Sequence, residues 1–179
     1  MSALVLVDRP TPLPWLRESR TSGESARHLR YLFCAAAHDT GRVAAGWRPL
    51  VEDALAEISD ACTADDWDGF GAAAVAFDTI ENVRAVCDAL FSLVPNGIPA
   101  PEVTAQSDGE ISVSWVPDAD RILSVSIGSH NTLNYAGQLG GGKEPHGVQR
   151  FNPDDVHSID EIAGLLQELY PGSAAAAAA

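Results

Sequence analysis

Up to about residue 100 the apolar positions recur at helical spacing, and from residue 101 they recur every second residue, so the chain reads as helices first and strands afterwards. A first helix is expected from Ser22 or Gly23, with Ala26, Leu29, Leu32, Phe33, Ala36 and Ala37 on one face and Asp39-Thr40-Gly41 as its stop. A second is expected from Pro49, which suits a first turn, through Leu50, Ala54, Leu55 and Ile58 to Cys62, with Glu52, Asp53 and Glu57 on the opposite face. For the third, Asp78 is read as the cap and Glu81 as its capping-box partner. Its stripe is Ile80, Val83, Ala85, Val86, Leu90 and Phe91, and Pro95-Asn96-Gly97 ends it.

The alternating part predicts four strands, carried by Val103 and Ala105, then Ile111, Val113 and Trp115, then Leu123, Val125 and Ile127, then Leu133 and Tyr135. The turn signals between them, Ser107-Asp108-Gly109, Pro117 to Asp120 and Gly128 to Asn131, are short enough to make neighbours antiparallel. Gly137 to Gly147 reads as a glycine-rich loop, and Val156, Ile159, Ile162, Ala163, Leu166 and Leu169 predict a closing helix from Asp154 to Tyr170. The fold class is therefore α+β: a four-stranded antiparallel meander with three helices before it and one after, the helices packed on one face. The other face would carry Thr104, Ser112, Ser114, Ser124, Ser126, Thr132 and Asn134, with Val116 and Ile122 as apolar exceptions. Small, neutral and nearly flat, it suits either solvent or a docked partner surface.

The domain reading has three parts. Residues 1–23 contain Pro10, Pro12 and Pro14 and form an extended arm anchored by Trp15 and Leu16, 24–171 form a single α+β domain, and 172–179, with six terminal alanines, form a tail outside the fold. No secretory signal pattern and no membrane-length apolar run is present, so the expected location is the cytoplasm. Cys34, Cys62 and Cys87 lack metal-site or redox spacing and are expected as buried free thiols.

Charge then narrows the partners. Residues 1–50 carry seven arginines against four acids, a balance of +3. The remainder carries 21 acids against Arg84, Arg121, Lys143 and Arg150, a balance of −17, which together give the net −14. Such a field favours a basic protein or nucleoprotein surface and disfavours direct contact with nucleic acid or anionic membrane.

The stretch Asp65-Asp66-Trp67-Asp68-Gly69-Phe70-Gly71-Ala72 has the most local character. Its glycines permit positive φ, Trp67 and Phe70 are expected to fold back onto the core, and Asp65, Asp66 and Asp68 cluster at the surface. The run W-D-G-F-G-A (Trp67 to Ala72), followed by a helix and the strands I-S-V-S-W (Ile111 to Trp115) and L-S-V-S-I (Leu123 to Ile127), resembles a group of small bacterial proteins of unknown function with a W-D-G-Y/F-G-A signature. The resemblance covers residues 65–136 and implies a shared fold, with no chemistry attached.

Catalytic patterns are weak. Gly137 to Lys143 satisfies the first part of a phosphate loop, but Glu144 and Pro145 stand where a hydroxyl and a helix start are required. His130 and His146, aided by Asp118 or Glu144, would form an acid/base pair only if the fold joins them. Asp66, Asp68 and Gly69 make a weak divalent-ion site conceivable, without the spacing of a calcium loop. The expectation is a non-enzymatic, acidic protein-binding module with no cofactor or metal: an antitoxin, an immunity protein or a phage or mobile-element inhibitor that mimics nucleic acid on a basic partner. Candidate contact residues are Asp65, Asp66, Asp68, Trp67, Phe70, Trp15, Ser112, Ser114, Ser124 and Ser126. The alternatives are an assembly subunit that forms a homodimer through its arm, and a small enzyme with its site near the glycine loop.

Overall fold

The computed structural model describes residues 46–171. The arm with Trp15, the first expected helix, Cys34 and the alanine tail lie outside the described residues. The described elements run α1 (Trp47–Ala61), α2 (Phe77–Leu93), β1 (Glu102–Ala105), β2 (Ile111–Asp118), β3 (Arg121–Ile127), β4 (Thr132–Leu139), β5 (His146–Arg150), a 3-10 turn (Val156–Ile159) and α3 (Asp160–Leu169). The sheet has five strands, not four, in sequence order and antiparallel throughout. The class is α+β, as the change of period implies.

The fifth strand comes from the segment read as a loop. β4 continues through Gly137 to Leu139, and the chain turns at Gly140, Gly141 and Gly142, all at positive φ, before returning as β5. β5 shows no apolar alternation because its inward positions are Gly147 and Gln149. A Cβ on Gly147 would lie 2.6 Å from the Tyr135 hydroxyl, so that position has room only for glycine.

Helix limits shift modestly. α1 starts at Trp47, which puts Pro49 in the first turn, where its missing N–H leaves no helical bond unmade. α2 starts at Phe77 after Ala76, with no side-chain cap. The Asp78–Glu81 capping box is therefore not formed: Asp78 lies inside the first turn, and Glu81 pairs with Arg84. The closing helix begins as the 3-10 turn, where the Asp155 carboxylate accepts the His157 N–H, and becomes α-helical only at Asp160.

One core joins the layers. α1 buries Trp47, Val51, Leu55 and Ile58, α2 buries Ile80, Val83, Val86, Cys87 and Leu90, and α3 buries Ile162, Ala163, Leu166 and Leu169. These meet the inward rows of the sheet, among them Ile111–Ile127–Leu133 and Val113–Val125–Tyr135. Each large aliphatic side chain buried here contributes about 1.5–3 kcal/mol, and truncating a central one such as Leu123 to alanine costs about 2–5 kcal/mol. Trp47 stacks between Trp115 and Phe91, with ring centroids 5.5 and 5.8 Å away, and its indole N–H donates to the Ile98 carbonyl at 2.9 Å. Cys62 and Cys87 are both buried, and Cys87 is a free thiol.

Candidate protein-binding surface

The connection between α1 and α2 contains the W-D-G-F-G-A run, and its backbone is held by its own aspartates. The Asp66 carboxylate accepts the Gly71 N–H at 2.7 Å, Asp68 accepts the N–H groups of Phe70 and Ala72 at 2.8 and 3.2 Å, and Asp65 accepts the Ala74 N–H at 3.0 Å. Backbone bonds close the same loop, Asp66 N–H to the Ala72 carbonyl at 2.7 Å and Gly69 N–H to the Asp66 carbonyl at 2.9 Å. Asp66 is the one non-glycine at positive φ among the described residues (62°), a conformation that Asp tolerates better than most side chains. Gly69 and Gly71, at φ 75° and 87°, complete the reversal. The loop is tied down at both flanks: the Val75 N–H donates to the Cys62 carbonyl at 2.9 Å and the Ala73 N–H to Ser107 of the β1–β2 turn at 2.8 Å.

This construction divides the two aromatics. Trp67 is half-buried against the core and donates its indole N–H to the Ala73 carbonyl at 3.0 Å, as a residue folded back on the core should. Phe70 does not fold back. It is 80% exposed, because the positive-φ glycines on either side turn it outward. The three aspartates are likewise not idle surface charge: each holds the loop as well as facing water, so reversing them would not leave the fold intact.

Around this loop the field is acidic. The β1–β2 turn, tied to the loop by the Ala73 N–H to Ser107 carbonyl bond, adds Asp108 to the side of the domain that carries Asp65, Asp66 and Asp68. The bases lie elsewhere. Arg48 pairs with Asp88 at 2.7 Å, Arg84 with Glu52 at 2.7 Å and with Glu81, Arg121 with Asp118 at 2.7 Å, and Lys143 with Glu168. Arg150, which ends the far edge strand, forms no ion pair among the described residues. The Arg84 guanidinium holds the Glu52 carboxyl below its ordinary value, and Arg121 does the same for Asp118. Glu52 and Glu81 together raise the Arg84 value, so it stays charged at any working pH.

The outward face of the sheet carries the expected serines. Ser112, Ser114 and Ser124 form a closed triangle of hydroxyls, with Oγ–Oγ distances of 2.9, 3.0 and 3.2 Å, and Ser126 donates to Glu110 at 2.5 Å. Val148, absent from the sequence reading of this face, adds a 69% exposed apolar side chain on β5. Phe77, 72% exposed at the start of α2, was also missed, since sequence periodicity marks which residues share a face and not which face is covered.

The catalytic candidates stay apart. His130 precedes Thr132, which pairs with Arg150, whereas His146 pairs with Ala136, about 13 Å further along the strand. His146 Nδ1 instead lies 3.2 Å from the Glu144 carbonyl oxygen. The Gly137–Lys143 segment is strand and hairpin turn, followed by a second strand and not a helix, and the Lys143 ammonium is engaged by Glu168. Among the described residues no group of three or more His, Cys, Asp or Glu is placed to hold a metal ion, and no helix is long and apolar enough to cross a membrane. The chain matches no family model, no curated protein and no solved structure.

Proposed function

We propose that this chain is a non-enzymatic protein-binding module that docks on a basic surface of a partner through the loop of residues 65–72, with Phe70 as the apolar anchor and the acidic end of the domain as its rim. The supporting observation is the 80% exposure of Phe70 on a loop fixed by four carboxylate-to-backbone hydrogen bonds. An aromatic presented on a rigid backbone loses little conformational freedom on binding, and such residues dominate interface energetics. The surrounding carboxylates favour arginine and lysine on the other side and speed encounter. Partners of that description include toxins and nucleic-acid-handling complexes whose basic grooves an acidic protein can occupy, which makes inhibitor or antitoxin the functional class proposed.

The experiment compares wild type with Phe70→Ala as bait in lysate of the source organism. A basic protein should be retained by wild type at about 50 mM salt and released at about 0.5 M, where charge is screened within roughly 4 Å. Phe70→Ala should fail to retain it while unfolding in urea as wild type does. Recovery of the same proteins by both baits would refute the anchor role.

A further inference from the structure

We propose that the exposed face of the sheet seats a second copy of this chain, face to face, as a two-fold dimer. This surface is separate from the Phe70 loop, and the inference stands without the reading above. Two features make the face inexpensive to dry. Its centre, Ser112, Ser114, Ser124, Ser126, Asn134 and Ala136, carries no charge in a domain that is otherwise densely acidic. The three ring hydroxyls already satisfy one another at 2.9–3.2 Å, so covering them orphans no donor. Val148 on the β5 side and Ile122 on β3 supply apolar contact.

Charge complementarity identifies the occupant. Reading across the strands, one outward row runs Glu102, Ser114, Ser124, Ala136, His146. Extending the register by one residue, a second runs from Glu110 through Gly128 and Thr132 to Arg150. The second row has a carboxylate at its β2 end and an arginine at its β5 end. Aligned sheets stack about 10 Å apart with strand directions within about 30°. A two-fold axis along β3 then lays β5 of one copy over β1 and β2 of the other, which brings Arg150 beside the second copy's Glu110. The pattern is self-complementary, as a two-fold interface requires. The face is small, roughly 20 Å in each direction, so the expected association is micromolar.

The test measures mass in solution for the full chain at about 100 µM. Wild type should approach twice its 18.8 kDa, and the dimer fraction should rise between about 10 mM and 150 mM salt as repulsion between two acidic bodies is screened, the opposite salt response to an acidic-on-basic contact. Ser124→Arg, at the centre of the face, should give the single-chain mass with an unchanged urea midpoint. Arg150→Glu should weaken dimerisation at least about ten-fold, and mixing Arg150→Glu chains with Glu110→Arg chains should restore it, because each then supplies the charge the other lost. A single-chain mass for wild type at every salt concentration, or a dimer that survives Ser124→Arg, would overturn the proposal, as would failure of the charge-swapped mixture to associate.

Discussion

Asp66 offers a test in which charge and geometry predict opposite signs. If it were only one of many surface acids, removing it from a chain of net charge −14 would relieve repulsion and leave the protein equally or more stable. In the structure its carboxylate accepts the Gly71 N–H at 2.7 Å, and its backbone sits at φ 62°. Asp66→Ala loses the first and strains the second. The bond is exposed, so it is taken at the value of an ordinary uncharged hydrogen bond, about 1 kcal/mol. Placing alanine in the left-handed region adds about 1 kcal/mol. The total, about 2 kcal/mol, should lower the urea midpoint by roughly 1 M at an ordinary m-value. Asp66→Gly removes the strain but not the lost bond and should cost about half as much. Asp66→Asn keeps an oxygen acceptor and a side chain tolerant of this backbone, and should fall near wild type. The expected stability order is therefore Asn, then Gly, then Ala, at constant m. Three variants all at or above wild-type stability would refute the view that the aspartates frame the loop.

Other predictions test the remaining ties. Gly147→Ala places a Cβ 2.6 Å from the Tyr135 hydroxyl and 2.8 Å from its ring carbon Cζ, so it should destabilise by about 2 kcal/mol or more, and by clearly less in a Tyr135→Ala background, where the ring is gone; a double-mutant cycle in urea reads the coupling. Gly109→Ala, at φ 84° with its Cβ 2.9 Å from the Ala74 carbonyl oxygen, should cost at least about 2 kcal/mol by thermal unfolding, because both the backbone angle and the backbone contact oppose it. The Glu52 carboxyl is held below its ordinary value of 4.5 by Arg84, so its contribution is complete above that pH and is lost as pH falls through the lower folded value; Arg84→Met should flatten this part of the acid limb in pH-dependent urea titrations. Burial pushes the Cys87 thiol up to about 12, so native protein at about pH 8 should leave this cysteine unalkylated, as read by peptide mass mapping after a brief exposure to iodoacetamide.

The sheet was legible wherever the inward residues were apolar, as in Val113 opposite Val125 and Ile111 opposite Ile127. It was illegible at β5, whose inward glycine makes space for a tyrosine hydroxyl on the neighbouring strand, a constraint that appears only once the register is known. The three glycines at 140–142 were the available signal, since a tight reversal after a strand implies a returning partner. The ion pairs were hidden for a similar reason: Arg84 reaches Glu52 and Arg48 reaches Asp88 across 32 and 40 residues, beyond any local spacing rule. In the candidate site, the serines and the aspartate cluster were found by composition. The outward turn of Phe70 was not, because an isolated aromatic beside two helices is ordinarily core, and only the backbone angles of its flanking glycines reverse that expectation.

The six-letter run from Trp67 to Ala72 thus separates into a frame and a passenger. Trp67 fills the core margin, Asp68 gathers two amides, Gly69 and Gly71 take angles closed to most residues, and Ala72 is buried, 2% exposed. The Phe70 side chain alone stands outside this packing, 80% exposed. A chain that kept the other five letters and changed the fourth would fold alike, and under the function proposed above that one position would set which counterpart it meets.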